Sequence, residues 1–140
     1  MPSMTMEEAL AFIAVGTRTG KLATSSPSGD PHVAPLWFVV DDGIVFTTGH
    51  DTVKGRHLRA NPRAALAVDD DTFPYGFVVV RGPVEVDIEV PAKLDWATRI
   101  AERYVPAGRA PEYGQRNAVP EEMVCRLAIE RITGFRDIAL

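Results

Sequence analysis

The sequence predicts a mainly β protein, an antiparallel barrel with peripheral helices, and three observations lead to this fold class. About six short apolar segments are separated by turn residues, and they do not alternate with helices as βαβ units would. The Gly82-Pro83 pair interrupts a long apolar segment, as happens where a strand of a small barrel turns a corner. The 140 residues suffice for a single domain, residues 1–140, with a substantial core.

The first part of the chain predicts one helix and a meander of three antiparallel strands. Thr5 and Glu8 have the spacing of a capping box, and Gly16 closes the helix that they begin. Pro35 cannot donate a hydrogen bond to a ladder, so its strand must have an edge or a bulge there. The three predicted strands are Lys21–Ser26, His32–Val40 and Ile44–Thr48, with a hairpin turn at Asp42-Gly43.

The second part of the chain predicts two more helices and further strands. In the later helix, Leu94, Ala97 and Ile100 are placed on the buried side. Pro106–Pro120 is rich in Pro and Gly and has no periodicity, so a loop is predicted there. The predicted elements are a helix at Val53–Ala60, strands at Ala64–Val68, Phe77–Val80 and Val84–Val90, a helix from Pro91 to about Tyr104, and a last strand at Met123–Ile132.

The segment Thr47–Arg63 is the most informative part of the sequence. It carries a net charge of +3, with histidines neutral, in a chain whose net charge is −4. A strand leads into a helix here, and a helix start exposes free N–H groups and a partial positive charge. Lys54 and Arg56 on the first turn therefore predict an anion site, most naturally for phosphate. The alternative from composition alone is a surface helix whose basic face is merely solvated.

Composition argues against several classes of protein. No apolar run approaches the ~18 residues of a membrane span, and the N-terminus has acidic residues where a signal peptide needs basic ones. The single cysteine, Cys125, fits a reducing cytoplasm and lies in an alternating apolar run, so it is predicted to be buried and inert. The acidic net charge argues against nucleic-acid binding. No metal motif and no catalytic triad stands out, so no catalytic residue is predicted.

The segment Gly20–Asp71 resembles the split β-barrel of the pyridoxamine 5′-phosphate oxidase-like superfamily. The resemblance lies in LATSSPSGDPHVAPLWFVVDDGIVFTT followed by DTVKGRHLRANPRAALAVDD, and it continues more weakly through Gly76–Val90 and Arg131–Ile138. The sequence is most similar to the flavin/deazaflavin oxidoreductase B group of actinobacteria. This resemblance implies a homodimer with two cofactor sites in the clefts between its subunits.

The resemblance also implies roles for individual residues. Lys54 and Arg56 match the positions that hold the cofactor phosphate, and the backbone of Val33–Trp37 would lie along the tricyclic ring. His50 is a candidate phosphate or proton-relay contact, although a surface histidine is the simpler interpretation. Of Trp37 and Phe38, which face opposite ways, one is expected in the core and the other in the cleft. The implied cofactor-binding residues are Val33, Pro35, Leu36, Trp37, Thr47, Thr48, His50, Lys54, Arg56, Tyr75 and Phe77, with Tyr75, Phe77, Phe135 and Arg136 acting from the partner subunit.

Two cofactors follow from the resemblance. One is the deazaflavin coenzyme F420, whose tail beyond the phosphate is anionic; Arg59 and Arg63 could meet that tail or pair with surface acids such as Asp69. The other is FMN, as in the oxidase branch. With F420, the expected activity is hydride transfer to an unsaturated small-molecule substrate. The alternatives are an FMN-binding pyridoxamine 5′-phosphate oxidase-like protein and a non-catalytic protein that binds a flavin, deazaflavin or tetrapyrrole.

Overall fold

The computed structural model describes residues 2–88 and 90–140 and confirms the mainly β prediction. An antiparallel, half-barrel sheet of eight strands is surrounded by four helices within these residues. The strands are β1 (Gly20–Ser25), β2 (Pro31–Leu36), β3 (Val39–Val40), β4 (Ile44–Gly49), β5 (Arg63–Asp70), β6 (Gly76–Glu85), β7 (Glu122–Leu127) and β8 (Arg131–Phe135). The helices are α1 (Met6–Ile13), α2 (Val53–Ala60), α3 (Lys93–Tyr104) and α4 (Ala110–Asn117), with a 3-10 turn at Val90–Ala92.

The helices α1 and α2 form where the sequence predicts them. The Thr5 side chain accepts a hydrogen bond from the backbone of Glu8 (3.1 Å), and the Glu8 carboxylate accepts one from the backbone of Thr5 (2.9 Å). This is the predicted capping box. The second helix has the predicted bounds, Val53–Ala60, and ends at Asn61 before Pro62. Both results follow from capping residues and a helix-ending proline, which act over a few positions of chain.

The predicted three-stranded meander is wrong, because the chain crosses from one side of the sheet to the other within the predicted strand His32–Val40. The strand order is β2-β1-β5-β6-β7-β4-β3, with β8 also paired to β6. The crossing occurs at Trp37 and Phe38, where the Phe38 side chain is fully buried. Tyr104 Oη accepts a hydrogen bond from Phe38 N (3.2 Å), and Arg103 donates to Phe38 O (2.9 Å). These two side chains replace the ladder bonds that the crossing gives up.

The predicted corner at Gly82-Pro83 is confirmed. Before it, Phe77–Arg81 of β6 pair with β8; after it, Val84 and Glu85 pair with β7. A Cβ atom at Gly82 would collide with the carbonyl oxygen of Ala128, so only glycine allows this close approach. The predicted single strand Met123–Ile132 is therefore wrong, since the chain bends with β6 and forms β7 and β8 instead.

Two further element predictions are wrong. The alternating strand predicted for Val84–Val90 ends at Glu85, where Val86–Ile88 leave the ladder and Asp87 adopts a left-handed backbone (φ 56°). Glu89 lies outside the described residues. The predicted loop Pro106–Pro120 contains α4, which packs closely on α3 because Gly114 has no Cβ to meet Thr98. Packing against a neighbour stabilises this eight-residue helix, which would be marginal alone.

The core fills the interior of the barrel, and a second small cluster lies under α3. The interior holds Phe38, Phe46 and Leu66, each with no exposed surface. Outside the sheet, Trp96 of α3 packs on Val45 and Val124. The prediction that Leu94 is buried is wrong: its side chain is 46% exposed, and Trp96 occupies the inner face of the helix. Within the described residues, no helix has the length and apolar character needed to span a membrane.

Leu66→Ala should destabilise the protein far more than Leu94→Ala. Leu66 is fully buried in the barrel, so truncation removes apolar contact and leaves a cavity, at a cost of about 2–5 kcal/mol. Leu94 is half exposed on a helix, and the same truncation there should change stability by less than about 0.5 kcal/mol. Urea unfolding followed by circular dichroism measures both; equal effects would contradict the assignment of the core.

Candidate functional site

A cleft of about 230 Å³ lies where β4 ends, α2 begins and the α3–α4 pair approaches the sheet. Polar groups line the sheet side, and apolar side chains of α3 line the opposite side. The cleft is therefore amphipathic, with one cation and one carboxylate among its described lining residues. Its lining residues are Trp37, Thr47, Thr48, Gly49, Thr52, Lys54, Ala97, Ile100, Asn117 and Glu122.

Lys54 reaches the cleft because α2 begins directly against the end of β4. The Thr52 hydroxyl caps the helix by accepting a hydrogen bond from Gly55 N (3.1 Å), and it donates to Gly49 O (2.9 Å). A Cβ atom at Gly55 would collide with the carbonyl oxygen of Gly49, so the glycine allows the helix to seat closely. The partly buried Lys54 side chain thus lies beside the positive end of the helix dipole.

Three threonines, Thr47, Thr48 and Thr52, and the aromatic ring of Trp37 are among the residues that line the cleft. Thr48 is 3% exposed, and its hydroxyl lies 3.1 Å from that of Thr52. The Trp37 ring stacks on the Tyr104 ring, with centroids 5.2 Å apart and planes 5° from parallel. Tyr104 also donates a hydrogen bond to Arg18 O (2.9 Å), so the ring behind Trp37 is itself fixed. Of Trp37 and Phe38, the Phe38 side chain lies in the core and Trp37 lines this cleft, while the role of Trp37 toward a cofactor stays a prediction.

The other basic residues of the segment Thr47–Arg63 have local partners. Arg56 donates to the carbonyl oxygen of Asp51 (2.6 Å), and Arg59 makes two bonds to that of His50 (3.1 and 2.8 Å). Arg63 pairs with Glu130 (2.8 Å) rather than with Asp69. Of the four cations in the segment, Lys54 lines the cleft, while Arg56 and Arg59 hold the loop that leads into α2.

Glu122, the first residue of β7, places a carboxyl group in the cleft opposite Gly49. Burial raises the pKa of the Glu122 carboxyl group above its usual value. The positive charge of Lys54 and a hydrogen bond from the Thr47 hydroxyl act in the opposite direction and favour the carboxylate. An anion that enters the cleft therefore meets one attracting and one repelling charge.

The remaining residues implied by the resemblance are not among those that line the cleft. Val33 (65% exposed) and Pro35 lie on β2, whereas the Leu36 side chain is buried in the core. His50 is exposed beside the loop that leads into α2. The two remaining aromatic residues lie at the start of β6. Tyr75 (43% exposed) contacts Phe73, and Phe77 contacts Phe135. Their roles toward a partner subunit stay predictions.

Six lining residues were not predicted from the sequence as members of one site: Gly49, Thr52, Ala97, Ile100, Asn117 and Glu122. Thr52 could have been found, since a threonine before the predicted helix start at Val53 is a preferred N-cap. Asn117 belongs to α4, which the sequence does not predict. Glu122 is preceded by Glu121, and nothing in the sequence separates the glutamate that faces the cleft from the exposed one.

Sequence comparison matches residues 5–136 to the family model described as pyridoxamine 5′-phosphate oxidase. A pyridoxine/pyridoxamine 5′-phosphate oxidase of Azorhizobium caulinodans is 40% identical over 80 residues, which are 56% of this chain and 37% of that protein. The chain therefore spans little more than a third of the length of this curated relative.

Two solved structures are similar over most of their length. A conserved hypothetical protein from Mycobacterium tuberculosis is 26% identical, with a TM-score of 0.79, and the match covers 98% of this chain and 89% of that one. A structure described as an F420 reductase is also 26% identical, with a TM-score of 0.68, covering 86% of this chain and 93% of the other. Both share the antiparallel split barrel with this chain.

Cys125 should not react with thiol reagents in the folded protein. It is fully buried, and burial raises the pKa of its thiol to about 11, so the reactive thiolate is scarce at pH 7–9. Treatment with iodoacetamide at pH 8 should leave the native protein unmodified and alkylate one site after unfolding in guanidinium chloride. Mass spectrometry measures both states; rapid alkylation of the native protein would contradict the predicted inert role.

Proposed function

The chain belongs to the pyridoxamine 5′-phosphate oxidase family, and from this premise we propose that it is an oxidoreductase that uses coenzyme F420 for hydride transfer to an unsaturated small molecule. The observation that carries the proposal is the position of Lys54 in the cleft, beside the start of α2 and the hydroxyl groups at the end of β4. An ammonium group and helix N–H groups are suited to a phosphate.

The cleft fits the phosphorylated stem of such a coenzyme. Lys54 would hold the phosphate, and the hydroxyl of Thr47 would face the polyol chain. The cavity of about 230 Å³ is smaller than the roughly 300–1,000 Å³ of pockets that enclose a whole ligand. The ring would therefore lie outside the cleft, past Trp37 and toward the exposed strand β2. When bound, F420 supplies the two-electron hydride chemistry, while the protein supplies binding and orientation.

Two observations favour F420 over the second candidate, FMN. The structure described as an F420 reductase resembles this chain at 26% identity over 93% of its own length. The cleft also offers a single cation among its described lining residues, which balances the one charge of a phosphate diester better than the two of a monoester. FMN remains the second candidate because the pyridoxine/pyridoxamine 5′-phosphate oxidase has the higher identity, 40%.

We also propose that the protein is a homodimer that buries the outer face of β1, β2 and β5. Ala23 pairs with Val33 on one side and with Ala65 on the other, so these three side chains form a row across that face. Val33 is 65% exposed. A row of small apolar side chains is more stable when it packs against a second, flat sheet than when it is exposed to water. A two-fold axis would place the same row on both subunits.

Fluorescence titration of one protein preparation with F420 and with FMN tests the proposed cofactor and the role of Lys54. We expect F420 to bind more tightly. Lys54→Ala should weaken its binding about 10- to 150-fold if a charged hydrogen bond contributes roughly 1.5–3 kcal/mol. Arg56→Ala is the matched control and should change affinity by less than about threefold, because the Arg56 guanidinium contacts Asp51 O instead of lining the cleft.

The outcomes of this titration separate the candidates. Tighter binding of FMN would reassign the cofactor, and failure to bind either coenzyme would overturn the proposal. Steady-state assays with quinones and biliverdin-type tetrapyrroles then distinguish an enzyme from a protein that only carries its coenzyme, since a carrier binds F420 without turnover.

Light scattering after size exclusion tests the homodimer. The protein should elute with twice the monomer mass, and Ala65→Arg should shift it to the monomer because a long charged side chain would lie in the centre of the proposed interface. Gln115→Arg, on the exposed side of α4, adds the same charge elsewhere and should leave the dimer intact. A monomeric wild-type protein, or a dimeric Ala65→Arg variant with native circular dichroism, would refute this interface.

A further inference from the structure

The carboxyl group of Glu122 is part of the same cleft as Lys54, and the fold holds it there. Glu122 lies directly across from Gly49 in the ladder between β4 and β7. Its Oε1 atom is 3.8 Å from the position that a Cβ atom at Gly49 would occupy, an ordinary van der Waals distance, so the carboxyl group lies beside the end of β4. The Thr47 hydroxyl favours the charged form of this carboxyl group. The strand register therefore places the carboxyl group inside the site.

The charges that face Glu122 come from three elements. Lys54 acts from α2, Lys93 from the start of α3, and Glu121 from the preceding position of the chain. Lys93 is engaged by the carbonyl oxygen of Val119 (3.2 Å) and does not line the cleft. Among the described residues that line the cleft, Lys54 thus supplies one positive charge and Glu122 one negative charge.

We propose that Glu122 makes this cleft selective for a singly charged phosphodiester over a doubly charged phosphate monoester. The inference rests on the proposed function, since it assumes that a coenzyme phosphate binds beside Lys54. F420 carries its phosphate as a diester, and FMN carries it as a monoester. Glu122 acts as a specificity-determining residue, because it repels the second negative charge that only the monoester has.

The physical basis is the balance of unit charges at short range. A phosphate monoester carries about −1.5 to −2 charges at pH 7, and a diester carries one. Lys54 compensates one negative charge, so the additional charge of the monoester faces the Glu122 carboxylate without a counter-ion. Repulsion between such charges in a partly buried cleft is stronger than in bulk water, because solvent screens it less. Binding of FMN therefore requires an unfavourable burial of its second negative charge. A diester has no second charge, so its binding does not carry this cost.

A matched pair of ligands isolates this effect. FMN and its monomethyl phosphate ester share the ring and the ribityl chain and differ by one methyl group and one charge. We would measure the dissociation constants of both ligands, and of F420, at pH 7.5 for the wild type, Glu122→Gln and Glu121→Gln. Glutamine keeps the size and shape of the side chain and removes its charge. Glu121→Gln removes the same charge from the exposed neighbouring residue.

The expected result is a change in the ratio of the two flavin affinities. The wild type should bind the methyl ester about tenfold more tightly than FMN, which corresponds to roughly 1.4 kcal/mol. Glu122→Gln should reduce this preference about fivefold or more, mainly through tighter binding of FMN, whereas Glu121→Gln should leave it unchanged. The affinity ratio of the two flavins in the wild type is divided by the same ratio in each variant. Any steric effect of the methyl group is present in both ratios and cancels. At pH 5 the wild-type preference should also shrink, because the monoester loses its second charge.

The possible failures are distinguishable. If the ligands bind but Glu122→Gln leaves the ratio unchanged, the role of Glu122 is overturned and the proposed function stands. The wild type could bind F420 and neither flavin. In that case the inference requires that Glu122→Gln bind FMN, and a Glu122→Gln variant that does not bind FMN overturns it. If no ligand binds to wild type or variant, the proposed function and this inference are both overturned.

Discussion

The close approach of α2 to the end of β4 is the constraint on which the candidate site depends. Gly55 lies where any side chain would meet the carbonyl oxygen of Gly49, and this contact sets the distance between helix and sheet. Thr52 then caps the helix, and Arg59 holds the connecting loop through the carbonyl oxygen of His50. The position of Lys54 therefore follows from the packing of backbone, with no ion pair of its own needed to direct it into the cleft.

The same geometry explains why a segment with a net charge of +3 yields one cation in the cleft. Residues two apart on a helix point in different directions, so Lys54 and Arg56 cannot share a face. Arg56 turns back to the loop, and Arg63 lies on the next strand beside Glu130. A charge count along the sequence identifies the region of the site correctly, but the number of charges that reach a ligand depends on helical phase and on local partners.

Elements whose cause is local were predictable, and elements that depend on distant contacts were not. The capping box of α1, the bounds of α2 and the corner at Gly82 each follow from a few adjacent residues. The split at Trp37 was missed because the strand continues as an apolar run while the chain changes its partner strand. Helix α4 was missed because its stability comes from α3, and Glu122 was missed because only the register with Gly49 turns it inward.

The two sides of the sheet are covered differently, and this links the cleft to the proposed assembly. Helix α3 covers the outside of β4 and β7, so Val45 and Val124 are buried there within the chain. Val33 on β2 remains exposed. A barrel of this size fills its interior with side chains, so a coenzyme has to lie outside it. The cleft accommodates only the stem, and a ring resting on β2 would be open to water unless another surface covered it. A second subunit on this face would bury the apolar row and the ring together, so dimerisation and coenzyme binding would stabilise each other.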